Sequence, residues 1–205
     1  MIRFIGDVHA RFDNYKELIK GSNYSIQVGD FGIGFEKILG QELPRLDGDH
    51  YFIRGNHDNP DDCKLHPNWL PDGTCRMIDG KSIFCVGGAY SVDQHSRIEG
   101  RDWWATEELT IAQFSDLIDQ YEQLKPDVVV SHDCPSDIRP LSQKLIDYGW
   151  KSPSRTSQAL QAMFEIHQPK LWVFGHYHTD YDEVIQGTRF VCVNKDVYRD
   201  LDLNF

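Results

Sequence analysis

At 205 residues the chain has the length of one ordinary domain, and a single domain over residues 1–205 is expected. Its apolar fraction of 40% suffices for a sizeable core, while a net charge of −11 excludes a general basic surface that would steer long nucleic acid. The five cysteines are odd in number and form no C-x-x-C, no signal peptide precedes the first strand, and no apolar run approaches membrane-spanning length, so a cytoplasmic protein with reduced thiols is expected.

In chain order, Ile2-Arg3-Phe4-Ile5 predicts a short buried strand that runs into Gly6-Asp7-Val8-His9. Residues 11–20 predict a helix with Phe12, Tyr15, Leu18 and Ile19 on one face and Gly21 as its stop. Ser25-Ile26-Gln27-Val28 predicts the next strand, which ends in Gly29-Asp30 and completes a βαβ unit. Gly32 and Gly34 keep the following loop small before a short helix over 35–43. A strand over 51–53 then delivers Arg54-Gly55-Asn56-His57-Asp58, and the prolines of 60–73 predict irregular structure.

Asp79-Gly80 between 75–78 and 83–86 signals a hairpin, closed by Gly87-Gly88. Residues 89–105 have no clear period and carry Asp93, His95, Arg97, Arg101, Trp103 and Trp104. Thr110 and Gln113 form a capping box ahead of a helical stripe of Ile111, Phe114, Leu117, Ile118, Tyr121 and Leu124. The strand over 128–130 leads into Ser131-His132-Asp133-Cys134-Pro135, and a helix is predicted over about 154–168. The strand 171–174 ends in Gly175-His176-Tyr177-His178, and Gln186-Gly187 marks a second hairpin.

One pattern thus recurs five times: a short apolar run, a small residue, then Asp, Asn or His. A lone polar residue after a strand is usually a turn residue; five sets of metal-capable side chains in one chain point instead to a shared site at strand carboxyl ends. Asp7 and His9, like His176 and His178, lie two residues apart, a spacing that lets both members face one side. Carboxylate, imidazole and a neutral amide suit divalent Mn, Fe, Zn or Ni, and the lack of thiolates argues against a structural zinc site. Trp172 and Cys134 read as packed residues, and His50, His66, His95 and His167 fall outside the pattern.

The ordered blocks GDVH, GDFG, GNHD, SHDCP and GHYH, spanning residues 6–178, resemble the calcineurin-like metallophosphoesterase superfamily. The resemblance implies an α/β (α+β) fold, a four-layer αββα sandwich of two mixed sheets. It implies two divalent ions, manganese foremost, one held by Asp7, His9, Asp30 and His178 and the other by Asp30, Asn56, His132 and His176. A hydroxide bridging the ions would attack phosphorus, with His57 as general acid; Asp58 either orients His57 or takes a surface or capping role. Arg54 matches the arginine before GNH in the protein phosphatases of this superfamily, but Ile33 and Gly34 replace the Asp and Arg of their GDxxDRG extension, which speaks against simple protein phosphatase activity. Arg54, Arg97 and Arg101 are the candidate substrate contacts, with a surface salt bridge as the alternative role for Arg54 and solvated arginine for Arg97 and Arg101. The expected substrate is a phosphate ester, monoesters placed ahead of nucleotide or nucleic-acid diesters; a scaffold that kept the fold without catalysis is the reading from another class.

Overall fold

The computed structural model describes residues 1–141, 143–150 and 153–205. Its first sheet holds β1 (Ile2–Ile5), β2 (Tyr24–Gln27), β3 (Asp49–Phe52) and β10 (Tyr198–Leu201) in the order β10-β1-β2-β3. The three N-terminal strands run parallel and β10 pairs antiparallel to β1. The second sheet holds β4 (Cys75–Ile78), β5 (Lys81–Val86), β6 (Val128–Ser131), β7 (Leu171–Phe174), β8 (Tyr181–Ile185) and β9 (Thr188–Cys192) in the order β4-β5-β6-β7-β9-β8. Its four central strands are parallel, and β4 and β8 close the edges as the two predicted hairpins. Both sheets are therefore mixed, as expected.

The strands are apolar on both faces because both faces are covered. Ile2, Phe4 and Ile26 of the first sheet meet Ile83, Cys85, Val128, Val130, Leu171, Val173 and Val191 of the second in one cluster. The intervening residues point outward, where Phe84, Val129, Trp172, Phe174 and Phe190 pack with Leu117 and Tyr121 of α4 (Ile111–Leu124) and Leu160, Met163 and Phe164 of α6 (Arg155–Ile166). Ile5 and Phe52 pack outward with Phe12 and Tyr15 of α1 (Phe12–Ile19). Helices thus cover the outer faces of two stacked sheets, a four-layer sandwich.

Local chemistry explains most boundaries. The capping box forms: Gln113 N donates to Thr110 Oγ1 at 3.3 Å and Thr110 N to Gln113 Oε1 at 2.9 Å. The predicted stripe on α4 is narrower than expected, since Ile111 and Leu124 at its ends are exposed. The short helix α2 (Phe35–Leu39) stops before residue 43, because Gly40 takes a left-handed φ of 64°. Residues 60–73 are not wholly irregular: Asn59 caps α3 (Pro60–Cys63). Strand β10 and α5 (Gln143–Tyr148) carried no sequence signal, and β10 is exposed except at Leu201. All five cysteines are free, and no helix among the described residues is long and apolar enough to cross a membrane.

Trp172 is fully buried, stacks on Phe190 at 5.7 Å and donates Nε1–H to Ser131 Oγ at 2.8 Å. Truncating it to alanine should destabilise the fold by about 3–5 kcal/mol. Chemical denaturation checks this as a lower midpoint at an unchanged slope. A loss below about 1 kcal/mol would remove Trp172 from the core, since Trp-to-Ala changes in a packed core cost several times that.

Candidate metal centre

The carboxyl ends of β1, β2, β3, β6 and β7 open at one rim between the sheets, and each delivers its block there. Two donor groups form. Asp7, His9, Asp30 and His178 place one ligand atom each within 4.8 Å of one another, and so do Asp30, His132 and His176. Asp30 belongs to both. Its Oδ2 lies 3.6 Å from His9 Nε2 and its Oδ1 lies 3.3 Å from His132 Nε2. Asn56 Oδ1 adds a neutral oxygen 3.1 Å from His132 Nε2. All seven sequence-predicted donors are thus brought together.

The backbone is shaped for this convergence. His9, Asp30, His176 and His178 all have positive φ, between 48° and 67°, a region non-glycine residues rarely adopt. Such backbone persists only where the surroundings over-determine it, and it clusters at functional sites. Here the amides of Val8 and His9 both donate to the Asp30 carbonyl, at 3.0 and 2.8 Å, tying the first loop to the second. Two of the small residues in the recurring pattern serve close approach. A Cβ on Gly55 would run into Asp30, and one on Gly175 would run into Asp7 Oδ1.

Further hydrogen bonds aim the donors. His132 Nδ1 meets the Val28 carbonyl at 2.8 Å, which turns Nε2 to the site. Asn56 Nδ2 donates to Ser91 Oγ at 2.9 Å; Ser91 in turn donates Oγ–H and N–H to the two oxygens of buried Glu107 at 2.6 and 2.8 Å. Ser91 Oγ gives its hydrogen to Glu107 and so accepts from Asn56 Nδ2, which leaves the Asn56 oxygen facing the site. Burial pushes the Glu107 carboxyl up to about 7, against the bonds from Ser91. No sequence motif marks Ser91 or Glu107; both come from loops distant in the chain.

The donor set fits a cation. Asp7 Oδ2 is buried and makes no hydrogen bond, although His178 Nε2 lies 2.9 Å away. Burial opposes a charge on His132, but the Asp30 carboxylate outweighs it and lifts the imidazole to about 10. Burial also opposes the Asp30 charge, yet His132 and His57 hold this carboxyl well below the usual range. Desolvation keeps His9 and His176 neutral, lowering His9 to about 4 and His176 well below its ordinary value. A divalent ion would displace the proton from His132, because metal ligands bind deprotonated.

Around this centre lies a cleft of about 620 Å³, lined by His57, Tyr90, Asp93, Arg97, Trp150 and Lys195 among others. The His57 ring stacks on Phe35 at 5.6 Å, which itself packs against Trp104. Arg97 Nη2 lies 2.8 Å from His57 Nε2, and its Nε and Nη2 pair with Asp93 at 2.8 Å each. Three expectations need correction. Asp58 does not bond the His57 ring: its carboxylate is buried and accepts from the amides of Phe31, Gly32, Ile33 and Gly55 at 2.6–3.1 Å, so it clamps two loops. Arg54 is sealed from the cleft, paired with Asp72 at 2.9 Å and donating to the Glu107 carbonyl at 2.6 Å. Arg101 pairs with Asp102 at 3.3 Å on the exposed surface and is not among the residues lining the cleft.

Mixed parallel sheets in a four-layer sandwich, with carboxylates and imidazoles converging at their carboxyl ends, define a metal-dependent hydrolase. The chain belongs to the calcineurin-like phosphoesterase family, whose model matches residues 1–180. No curated protein matches the sequence significantly. Among solved structures, the fold is similar to a putative 5'-nucleotidase from Staphylococcus aureus at 15% identity and a TM-score of 0.55, covering 96% of this chain and 48% of that one. It is similar to the phosphopantetheinyl hydrolase of Mycobacterium tuberculosis at 14% identity and 0.56, covering 95% and 89%. It is also similar to GAP50, the anchor in the inner membrane complex of Plasmodium, at 12% and 0.52, covering 94% and 70%. These identities speak for the fold alone, and the chain spans only about half of the nucleotidase.

Asp30→Ala should strip metal from both donor groups, whereas Asp7→Ala should chiefly empty one. Elemental analysis of the purified variants reads this directly. Full occupancy in the Asp30 variant would remove it from the shared position.

Proposed function

We propose that this chain hydrolyses small phosphate esters at two divalent metal ions that share Asp30. The supporting observation is the division of labour within one carboxylate, whose two oxygens face different donor groups. Asp7, His9 and His178 would complete one set, and Asn56, His132 and His176 the other. When bound, such a pair of ions polarises the phosphoryl oxygens and supplies an activated water for in-line displacement. Manganese is placed first, with iron, zinc or nickel also matching the donors.

His57 is the proposed general acid. It lines the cleft beside both groups, and its backbone N–H donates to Asp30 Oδ1 at 2.7 Å. Stacking on Phe35 fixes the ring plane, while Arg97 holds its edge. Burial, and then the Arg97 guanidinium, pull the imidazole below its ordinary pKa against Asp30 and Asp93. Since a guanidinium only donates, the ring takes up its proton when the Arg97 contact opens, and the imidazolium then passes that proton to a departing alkoxide. A cleft of this size suits a small-molecule ester better than a long polymer, and monoesters are placed ahead of diesters.

A screen of matched mono- and diesters with added Mn²⁺, against chelated protein, tests the reading. Faster monoester turnover that disappears on chelation is expected. Faster diester turnover would reassign the substrate class, and a chain that retains no metal and no activity would be a scaffold.

His57→Ala should cost roughly 10²–10⁴-fold in kcat/KM on alkyl phosphates, whose leaving oxygen needs a proton, and distinctly less on nitrophenyl phosphate. Metal content should stay near wild type. Equal losses on both esters at full metal content would make His57 a phosphate-positioning group.

A further inference from the structure

We propose that Lys195 is a specificity-determining residue that grips a second anionic group on the substrate, next to the phosphoryl group; this rests on the phosphoesterase reading above. Lys195 lines the cleft and is half-buried there. It lies beyond residue 180, outside the span matched by the family model, so no shared motif accounts for it.

Its place is fixed by the backbone rather than by its side chain. Gly6 N donates to the Val197 carbonyl and Asp196 N to the Asp7 carbonyl, both at 3.0 Å. Lys195 is therefore held one residue from a strut that ends on Asp7. Its side chain therefore starts from backbone anchored beside Asp7.

The carboxylates around Lys195 are already engaged. Asp196 pairs with Arg11 and accepts from Asn14 at 3.2 Å; Asp180 accepts from Asn194 at 3.2 Å and pairs with Arg199 at 2.8 Å. Among the described residues the Lys195 ammonium has no hydrogen bond or ion pair, while Arg97, the other cation lining the cleft, is spent on Asp93 and His57. Lysine buries its stem along a wall and keeps its charged head in water, so a partnerless Lys195 head is free to pair with an incoming anion. The chain carries a net charge of −11, so general attraction of anions does not explain a free cation at this one point. A carboxylate or a further phosphate fits equally; the shared chemistry is a second negative group close to the first.

The test uses binding of non-hydrolysable phosphonates to the Mn²⁺-loaded protein, measured by calorimetry. Phosphonoacetate carries the second anion, and ethylphosphonate has nearly the same shape without it. A charge-assisted bond of this kind corresponds to about 10–100-fold in affinity. Lys195→Ala should lower the preference for phosphonoacetate over ethylphosphonate by about that factor, and Lys195→Arg should restore most of it. Methylenediphosphonate against methylphosphonate repeats the comparison for a second phosphate. An unaltered preference for both pairs, or a wild type that binds neither phosphonoacetate nor methylenediphosphonate, overturns the proposal. An equal loss within each pair would place Lys195 on the reacting phosphoryl group and also overturns it. Turnover of ethyl phosphate by the wild type is read separately: its absence would count against the phosphoesterase reading, while the binding ratios still decide Lys195.

Discussion

Asp30 is the constraint on which the rest of the structure depends. A buried carboxylate has to be compensated, and this one is compensated from two sides. Two imidazole groups, one on each of its oxygens, can sit there only if four other strand ends reach the same point. Left-handed backbone at Asp30 itself aims the carboxylate back over the rim, and glycine at position 55 leaves the space it occupies. The strain of such backbone is offset by the amides of Val8, His9 and His57 that grip this residue.

The sandwich supplies the rigidity. Because each central strand is apolar on both faces, it packs simultaneously on the other sheet and on a helix, and its carboxyl end has little freedom. Two buried polar clamps then carry that rigidity into the loops. Asp58 gathers four amides from the loops after β2 and β3. The pair Arg54–Asp72 ties the loop after β3 to the one after β5, since Asp72 also accepts from Gly87 N at 2.7 Å. Neither clamp lines the cleft around the donor groups, yet both hold the loops that carry the donor residues next to them.

The arginines and Asp58 show why residue type and motif position do not by themselves assign a role. Arg54 sits beside the GNHD block and Arg97 and Arg101 share an aromatic stretch, so all three looked alike as phosphate contacts. The difference between them is burial and partner. Arg54 is enclosed by a carboxylate and a carbonyl, Arg101 is turned to solvent, and only Arg97 reaches the cleft, where it touches His57. Neither tryptophan of that stretch lines the cleft, and Trp104 backs Phe35 and through it the His57 imidazole.

The convergence of Asp, Asn and His at strand ends was legible in the sequence, because each follows a short apolar run within a local block; the mixed four-layer architecture was implied by the resemblance of the ordered blocks to the family. Local hydrogen-bonding rules likewise made the capping box and both hairpins readable. What only the tertiary structure decided is every role that depends on a neighbour far away in the chain. Strand β10 exists because β1 offers it an edge, although its own residues are mostly exposed. Ser91 and Glu107 orient Asn56 across 35 and more residues, and Lys195 enters the cleft because its segment is bonded to the residues beside Asp7. Apolar periodicity and turn chemistry act over a few residues and so are written locally; the pairing of buried polar groups is settled by which loops meet, and no local pattern contains that.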